Sequence, residues 1–337
     1  MSAIRSLFAR LPIDRYLTLL VATIAFAALL PARGEAAVVV GIVVKLAVAA
    51  LFLLYGARLH PEAIWRGLSH WRLQGVVFGS TYVLFPLIGL ALGYLVRDHL
   101  PSDIMAGILF LCLLPSTVQS SIAFTSIARG NVPAALCSAS LSNLVGVALT
   151  PLLVSQLLPV ASGGFSLKAF GDIVIQILIP FAAGQAIRPW VGAWVHRHPV
   201  MTTIVDRGSI LVVVYAAFSA GMVAGIWGQL SIVNLAAVLA LDLLILAIAI
   251  AVTTSGSRWL GFSREDEIAI VFCGSKKSMA SGIPMAAILF PGHAIGLIVL
   301  PLMLFHQAQL FVCAMLARRY ARRKDAADGL AAAPATA

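Results

Sequence analysis

The chain has 337 residues, of which 61% are hydrophobic and 11% charged, and its formal net charge is +10. A soluble domain carries about a quarter charged residues because its surface faces water. A chain with so few charges and with apolar stretches from end to end is expected to lie largely in lipid, which excludes a soluble protein with one anchor. Its basic residues occur in short connectors, which indicates membrane orientation and argues against nucleic-acid binding.

Ten apolar stretches are long enough to cross a bilayer. A hydrocarbon core of about 30 Å needs around 20 apolar residues in a helix. The predicted segments 1 to 10 are 14–31, 36–56, 73–96, 103–128, 132–155, 169–190, 208–227, 232–253, 266–290 and 293–317. Segment 1 is interpreted as a retained helix rather than a signal peptide. Residues 1–325 are expected to form one transmembrane domain, and residues 326–337 a disordered cytoplasmic tail.

The lysines and arginines orient these segments. With both termini in the cytoplasm, 17 of the 23 basic residues lie on the cytoplasmic side, and only Arg33, Arg97 and Lys168 lie on the other. Membrane proteins concentrate positive charge in this way on the cytoplasmic side. The predicted location is therefore a bacterial inner membrane, crossed several times, with both termini inside.

The ten segments divide into two sets of five, residues 14–155 and 169–317. An odd number of segments per half places the halves in opposite orientations, as in many transporters. Segments 4 and 9 are then equivalent, and both are rich in polar and helix-breaking residues, among them Pro115, Gly274 and Pro284. The predicted fold is an all-α polytopic membrane protein, with ten transmembrane helices as a 5+5 inverted repeat in which helices 4 and 9 are broken.

Paired broken helices point to a binding site. Breaking a helix in lipid frees backbone groups that cost several kcal/mol unless they line a polar cavity. The second half-helices, expected to start near Ser116 and Ser278, would direct positive helix ends at the midplane, where an anionic group is favoured. The alternative is a pair of proline kinks satisfied by nearby hydroxyl groups.

Candidate substrate- or ion-binding residues lie in and beside these breaks. They are Ser116, Thr117, Gln119, Ser120 and Ser121 in segment 4, Ser138, Ser142 and Asn143 in segment 5, and Ser275, Lys276, Lys277 and Ser278 in segment 9. Hydroxyl and amide oxygens suit a hard monovalent cation or a polar substrate. Their alternative role is hydrogen bonding between helices.

Four ionisable residues lie inside segments, where a charge is costly and faces a partner or a water-filled cavity. Lys276 is a candidate fixed cation for an anionic substrate or a replacement for a bound cation, whereas Lys277 points to another face. Asp242 is a candidate for pairing with a lysine or for protonation. Lys45 is interpreted as snorkelling or structurally paired. A polar patch in segment 10, expected to line a cavity, comprises His306, Gln307 and Gln309.

No motif indicates an enzyme or a resident cofactor. The sequence lacks paired carboxylates, a nucleophile elbow and HExxH, and its "GSKKS" string lacks the first glycine of a phosphate-binding loop. The four cysteines show no CxxC or metal-ligand spacing.

Two strings carry a family resemblance. "PSTVQSSIAFTSIARGNVPAALCSASLSNLVGVALTPLL" resembles segments 4 and 5 of the bile acid:sodium symporter superfamily. "FCGSKKSMASGIPMAAILF" resembles its SBF-like branch, related to the seventh member of vertebrate solute carrier family 10. The resemblance extends over nearly the whole chain. It implies ten helices in core and panel domains, with two broken helices crossing at the centre.

The resemblance also implies where sodium would bind. The matching positions for sodium ligands fall near Ser120, Ser121, Ser138, Ser142 and Asn143, and Thr81 stands where the family often has glutamine.

Segment 9 departs from the family's pattern. Symporters of the family have a glutamate and a glutamine where this chain has Phe272 and Lys276. Losing an acid and gaining a cation opposes sodium by like-charge repulsion. We therefore expect at least one sodium site to be abolished, with Lys276 substituting for the ion and movement that is sodium-independent or proton-linked.

The leading functional hypothesis is a secondary transporter of small organic anions, sterol-like or a smaller carboxylate. The alternative, suggested by the vertebrate relatives, is a non-transporting membrane regulator of calcium homeostasis. The expected partners are the anionic substrate and the lipid bilayer, and the sequence does not indicate an oligomeric state.

Overall fold

The computed structural model describes residues 15–58, 70–96, 99–158, 174–225, 231–291 and 293–331. Within these ranges the regular structure is entirely helical. Parts of the sequence-based predictions lie outside the described residues, namely the N-terminus up to residue 14, residues 169–173 of segment 6, residues 226–227 of segment 7, and residues 332–337 of the tail.

Thirteen α-helices and two π-helical segments follow one another along the described chain. They are α1 (Arg15–Leu29), α2 (Glu35–Arg58), α3 (Trp71–Gly79), α4 (Phe85–Val96), α5 (Ser102–Leu113), α6 (Gln119–Ile127), α7 (Val132–Leu157), α8 (Ile179–Arg197), α9 (Pro199–Val223), α10 (Ile232–Trp259), α11 (Arg264–Gly274), α12 (Met279–Leu289) and α13 (Ile295–Ala331). The first π segment (Ser80–Leu84) joins α3 directly to α4, and the second (Val174–Leu178) leads into α8.

Six helical stretches of the described residues are long and apolar enough to cross a membrane. They are Glu35–Arg58, Trp71–Val96, Val132–Leu157, Pro199–Val223, Ile232–Trp259 and Ile295–Arg322. Large apolar side chains such as Leu46, Leu95 and Ile232 are exposed on these helices, as a lipid-facing surface requires. The chain is therefore a multi-pass helical membrane protein. Helical backbone continues to Ala331, into the first half of the stretch expected to be a tail.

Segments 4 and 9 each form two half-helices separated by non-helical backbone. The first break, residues 114–118, separates α5 from α6 and contains Pro115. The second break, residues 275–278, separates α11 from α12. The second half-helices begin at Gln119 and Met279, slightly later than expected from the sequence. Pro284 lies inside α12 and does not form the break.

The helices pack in two groups. One group consists of α1, α2, α8 and α9, and the other contains α3 to α7 and α10 to α13. The groups meet mainly where α9 packs against α12 and α13. The two breaks and the polar residues around them belong to the second group, and a cavity described below lies where the groups meet.

The first group depends on direct backbone contact between α2 and α8. A Cβ atom at Gly184 would lie 2.0 Å from the carbonyl oxygen of Leu53, and one at Gly56 would lie 2.1 Å from that of Phe181. Small residues permit such close approach, which is a main source of helix association in lipid.

We expect Gly184→Ala to lower the thermal stability of the detergent-purified protein, because the added methyl group meets backbone that cannot move independently of its helix. Gly208→Ala is the matched control. This glycine lies within α9 with no atom within 4 Å of a Cβ added there, so alanine should be neutral or stabilise by up to about 1 kcal/mol. Equal unfolding temperatures for the two variants would contradict the close contact.

Candidate ion and substrate site

The two helix breaks lie side by side and are bonded to each other. The backbone N–H of Ser278 donates to the carbonyl oxygen of Pro115 at 2.8 Å. Asn143 on α7 connects the first break to the first turn of α12, because its Nδ2 donates to the Ser116 carbonyl at 2.6 Å and its Oδ1 accepts from the Ser281 hydroxyl at 2.9 Å. We call this arrangement of the two breaks and Asn143 the crossing.

Serine hydroxyls satisfy the carbonyl groups at the end of α11. The last carbonyls of a helix have no partner within it. Here the hydroxyls of Ser121, Ser116 and Ser80 donate to the carbonyls of the last three residues of α11 at 2.9, 2.6 and 2.7 Å. Two of these serines belong to segment 4, so one broken helix completes the backbone bonding of the other.

The side chain of Lys277 satisfies the end of α5. Its Nζ donates to the carbonyl oxygens of Thr81, Cys112 and Leu114 at 2.9, 2.9 and 2.7 Å. An ammonium group has three N–H donors, so each of them has an acceptor. The Phe85 ring centroid lies 4.1 Å away on another side. We call these three carbonyls the lysine cage, and its cation also faces the negative end of the α5 dipole.

Gln309 fixes the backbone of Lys277. The Lys277 N–H donates to Gln309 Oε1, and Gln309 Nε2 donates to the Lys277 carbonyl, both at 2.9 Å. Gln309 Nε2 also lies 2.9 Å from His306 Nδ1. The sequence indicated a polar patch in segment 10. Only the structure shows that Gln309 of this patch binds the backbone of the second break.

Lys276 immediately precedes Lys277 and is also fully buried, but its environment is different. Its Nζ lies 3.3 Å from Ser120 Oγ, 4.6 Å from the Phe124 ring centroid and 5.6 Å from that of Phe272. Phe272, one of the two positions in segment 9 singled out by the sequence analysis, thus contributes a ring near the ammonium group. Cation–π contacts of this kind stabilise a desolvated cation.

Most of the remaining candidate residues make hydrogen bonds in or next to the breaks. Ser142 Oγ on α7 accepts from the Ser116 N–H at 3.1 Å, and Ser275 Oγ, at the start of the second break, donates to the Val271 carbonyl of α11 at 2.6 Å. Ser278 Oγ caps α12. Thr117 contacts the hydroxyls of Ser120 and Ser121. Gln119, the first residue of α6, has an exposed side chain.

A few buried polar atoms have no hydrogen-bond partner within the described part of the chain. They include Ser138 Oγ, Thr81 Oγ1 and both carboxylate oxygens of Asp242. Buried polar groups are nearly always bonded, so these atoms retain capacity for water, an ion or a proton. Of the five side chains expected near sodium, only that of Ser138 lacks a protein partner in the described residues.

A cavity of about 390 Å³ lies where the two helix groups meet. Its walls are mostly small and apolar, with polar groups from Lys45 on α2, Gln176 in the second π segment and His293 before α13. No carboxylate of the described residues lies within ion-pair distance of Lys45. His293 Nδ1 lies 3.6 Å from Asp103. The sequence led us to interpret Lys45 as snorkelling or structurally paired and did not connect it to a cavity; its side chain is exposed.

Comparison with protein families gives one match over most of the chain. The model of the SBF-like CPA transporter family matches residues 14–322. The match includes both breaks, the lysine cage and the cavity residues.

Individual proteins are similar over nearly the same length. The Pseudomonas aeruginosa protein PA2026 is 54% identical over 324 residues, covering 95% of this chain and 97% of its own. The Escherichia coli K12 protein YfeH, provisionally named a symporter, is 47% identical over 313 residues, covering 93% and 94%. Sodium/bile acid cotransporter 7 of Rattus norvegicus is 26% identical over 278 residues, covering 80% and 81%.

The two neighbouring lysines should differ sharply in their effect on stability. We expect Lys277→Met to lower the free energy of unfolding by about 3 kcal/mol or more, because three buried carbonyls lose their donor. Lys276→Met should change it by less than about 1 kcal/mol, since replacing a weakly bonded buried charge by an apolar group is often neutral. Thermal unfolding of both detergent-purified variants measures the difference, and equal losses would contradict the proposed role of the cage.

Proposed function

The chain belongs to the SBF-like CPA transporter family, a branch of the bile acid:sodium symporter superfamily, and we propose that it is a secondary transporter of small organic anions that works without bound sodium. The observation that carries this proposal is the crossing, where two broken helices bonded to each other hold two buried lysine ammonium groups. Broken helices of this kind form the binding sites of many secondary transporters.

The proposed architecture is a single domain of ten membrane passes in two inverted halves. Its support is the correspondence between α5–α6 and α11–α12. Each pair consists of two half-helices of 9 to 12 residues separated by a short break. In each pair two of the carbonyls at or next to the end of the first half-helix accept hydrogen bonds from side chains of the other broken helix. The charge distribution supports cytoplasmic termini and an inner-membrane location.

Sodium independence follows from the two ammonium groups. The ammonium group of Lys277 already lies among carbonyl oxygens that would otherwise attract an alkali ion. Lys276 holds a second positive charge beside Ser120, one of the residues expected near sodium. A monovalent cation entering this low-dielectric region would be repelled by both. The proposed roles are that Lys277 holds the crossing together and that Lys276 takes the place of the coupling ion.

The cavity between the two helix groups, which the far end of α12 also lines through Ala287 and Ile288, is the proposed place for the substrate. Its volume of about 390 Å³ falls in the usual range for small-molecule sites, about 300–1,000 Å³. Apolar walls with one lysine that has no carboxylate partner among the described residues suit a molecule with an apolar body and one negative group, sterol-like or a smaller carboxylate. Asp242 is the proposed proton carrier if movement is proton-linked.

Anion binding should not require sodium. Taurocholate and decanoate, tested as two probes with the purified protein, should raise the unfolding temperature equally in sodium and in potassium buffer, because a ligand that binds only the folded state stabilises it by mass action. Sodium alone should have no effect.

Three outcomes would count against this proposal. Stabilisation by sodium alone would mean that a cation site survives beside Lys276. Absence of stabilisation by any organic anion would favour the alternative of a non-transporting regulator. A Lys276→Gln variant that kept wild-type uptake and pH dependence in proteoliposomes would remove Lys276 from the coupling role.

Lys45 should set the affinity for the anion. We expect Lys45→Gln to weaken binding of the stabilising anion about tenfold or more, the usual effect of losing a charge-assisted contact. Lys45→Arg is the control because it keeps the charge. Isothermal titration with the same anion distinguishes the variants, and unchanged affinity in Lys45→Gln would place the substrate elsewhere.

A further inference from the structure

A second cleft, of about 360 Å³, lies between α10 and α13, away from the crossing. It differs from the substrate cavity because its lining changes in polarity along its length. On α10, Ile250, Thr254 and Arg258 line it. These residues are four apart and therefore share one helix face, about 12 Å long. The face runs from an apolar side chain, through a hydroxyl, to a guanidinium group.

The neighbouring positions repeat this order. Ala251 and Ser255 line the cleft beside Ile250 and Thr254. On α13, Leu316 is followed one turn later by Arg319. Both helices thus present apolar groups at one end of the cleft and a cation at the other. The hydroxyl groups lie between them.

The basic end of the cleft is held in place by an internal network. Arg258 donates to Glu267 through Nε at 2.8 Å and through a terminal nitrogen at 2.9 Å. The Tyr320 hydroxyl donates to the same carboxylate at 2.7 Å. A guanidinium has five N–H donors, so Arg258 keeps three for another acceptor, and its side chain is 58% exposed.

Arg319 supplies an uncompensated charge. Its side chain is exposed, and no carboxylate in the described part of the chain lies within ion-pair distance of it. Glu267 balances Arg258, so the basic end of the cleft keeps the positive charge of Arg319. An anionic group with several oxygen atoms would complement both guanidinium groups.

We propose that this cleft binds an anionic phospholipid. Its phosphate contacts Arg319 and Arg258, its glycerol and ester oxygens face Thr254 and Ser255, and an acyl chain lies along the apolar end. On α13, the stretch before Leu316 leads from the apolar end toward lipid-facing side chains, since Phe311 and Met315 are 57% and 52% exposed. A free phosphate would use only the basic end, whereas a phospholipid matches the whole gradient. Basic pockets between transmembrane helices are known to bind such headgroups.

The test compares two adjacent arginines in the delipidated, detergent-purified full chain. Native mass spectrometry with added dioleoyl-phosphatidylglycerol measures binding to wild type, Arg319→Gln and Arg318→Gln. Arg318 precedes Arg319 on α13, is also exposed and does not line the cleft, so it controls for net charge. Arg319→Gln should weaken binding about fivefold, whereas Arg318→Gln should leave it near wild type. Ala251→Leu, which fills the apolar end from an exposed position, should also weaken it.

Three outcomes would overturn the proposal. The two arginine variants could lose affinity equally, which would indicate attraction by overall charge. Dioleoyl-phosphatidylcholine could bind as well as the anionic lipid. Glycerol 3-phosphate could compete for the site at the affinity of the lipid, which would indicate a soluble phosphate ligand. None of these results depends on transport, so the lipid site and the transport proposal fail or hold separately.

Discussion

The structure depends on one constraint: carbonyl groups freed inside a membrane must find donors within the protein. Both broken helices expose such carbonyl groups where the helix is interrupted, and each receives its hydrogen-bond donors largely from the other. Ser116 and Ser121 complete α11, and Lys277 completes α5. The interruption of each helix is therefore stabilised in large part by its counterpart, and Asn143 ties the pair to a continuous third helix.

The same constraint explains why the two adjacent lysines have such different hydrogen-bond partners. Lys277 is part of the backbone bonding of the fold, because three carbonyls depend on its ammonium group. Lys276 contacts one hydroxyl and two aromatic rings, so little of the fold depends on it. A residue that the fold does not need is better placed to respond to a ligand. The sequence-based assignment of Lys276 to the coupling role stays a prediction, while the cation that sits among carbonyls is Lys277.

Sequence reasoning was most successful where composition and spacing carry the information. Apolar length predicts helices that cross a membrane, and Pro115 and Gly274 mark where segments 4 and 9 are interrupted, whereas Pro284 lies within α12. Contacts between residues that are distant in the sequence could not be predicted from composition or spacing. The pairing of Gln309 with the backbone of Lys277 and the position of Lys45 in a cavity depend on helices distant in sequence. The grouping of hydroxyls around both breaks was foreseen, but which of them bond to carbonyls was not, because that depends on how helix ends meet.

The covalent attachment of the cations in the crossing has an energetic consequence. A soluble co-ion travels with its substrate and leaves with it, whereas the ammonium groups of Lys276 and Lys277 stay with the protein. Carrying a monoanion alone therefore transfers net negative charge, and the membrane voltage acts on it with about 2.3 kcal/mol per 100 mV. In a cell with a negative interior, that voltage favours efflux. Accumulation inside the cell would require that charge to be compensated, by a proton or another cation that accompanies each anion or by an internal anion that leaves in exchange.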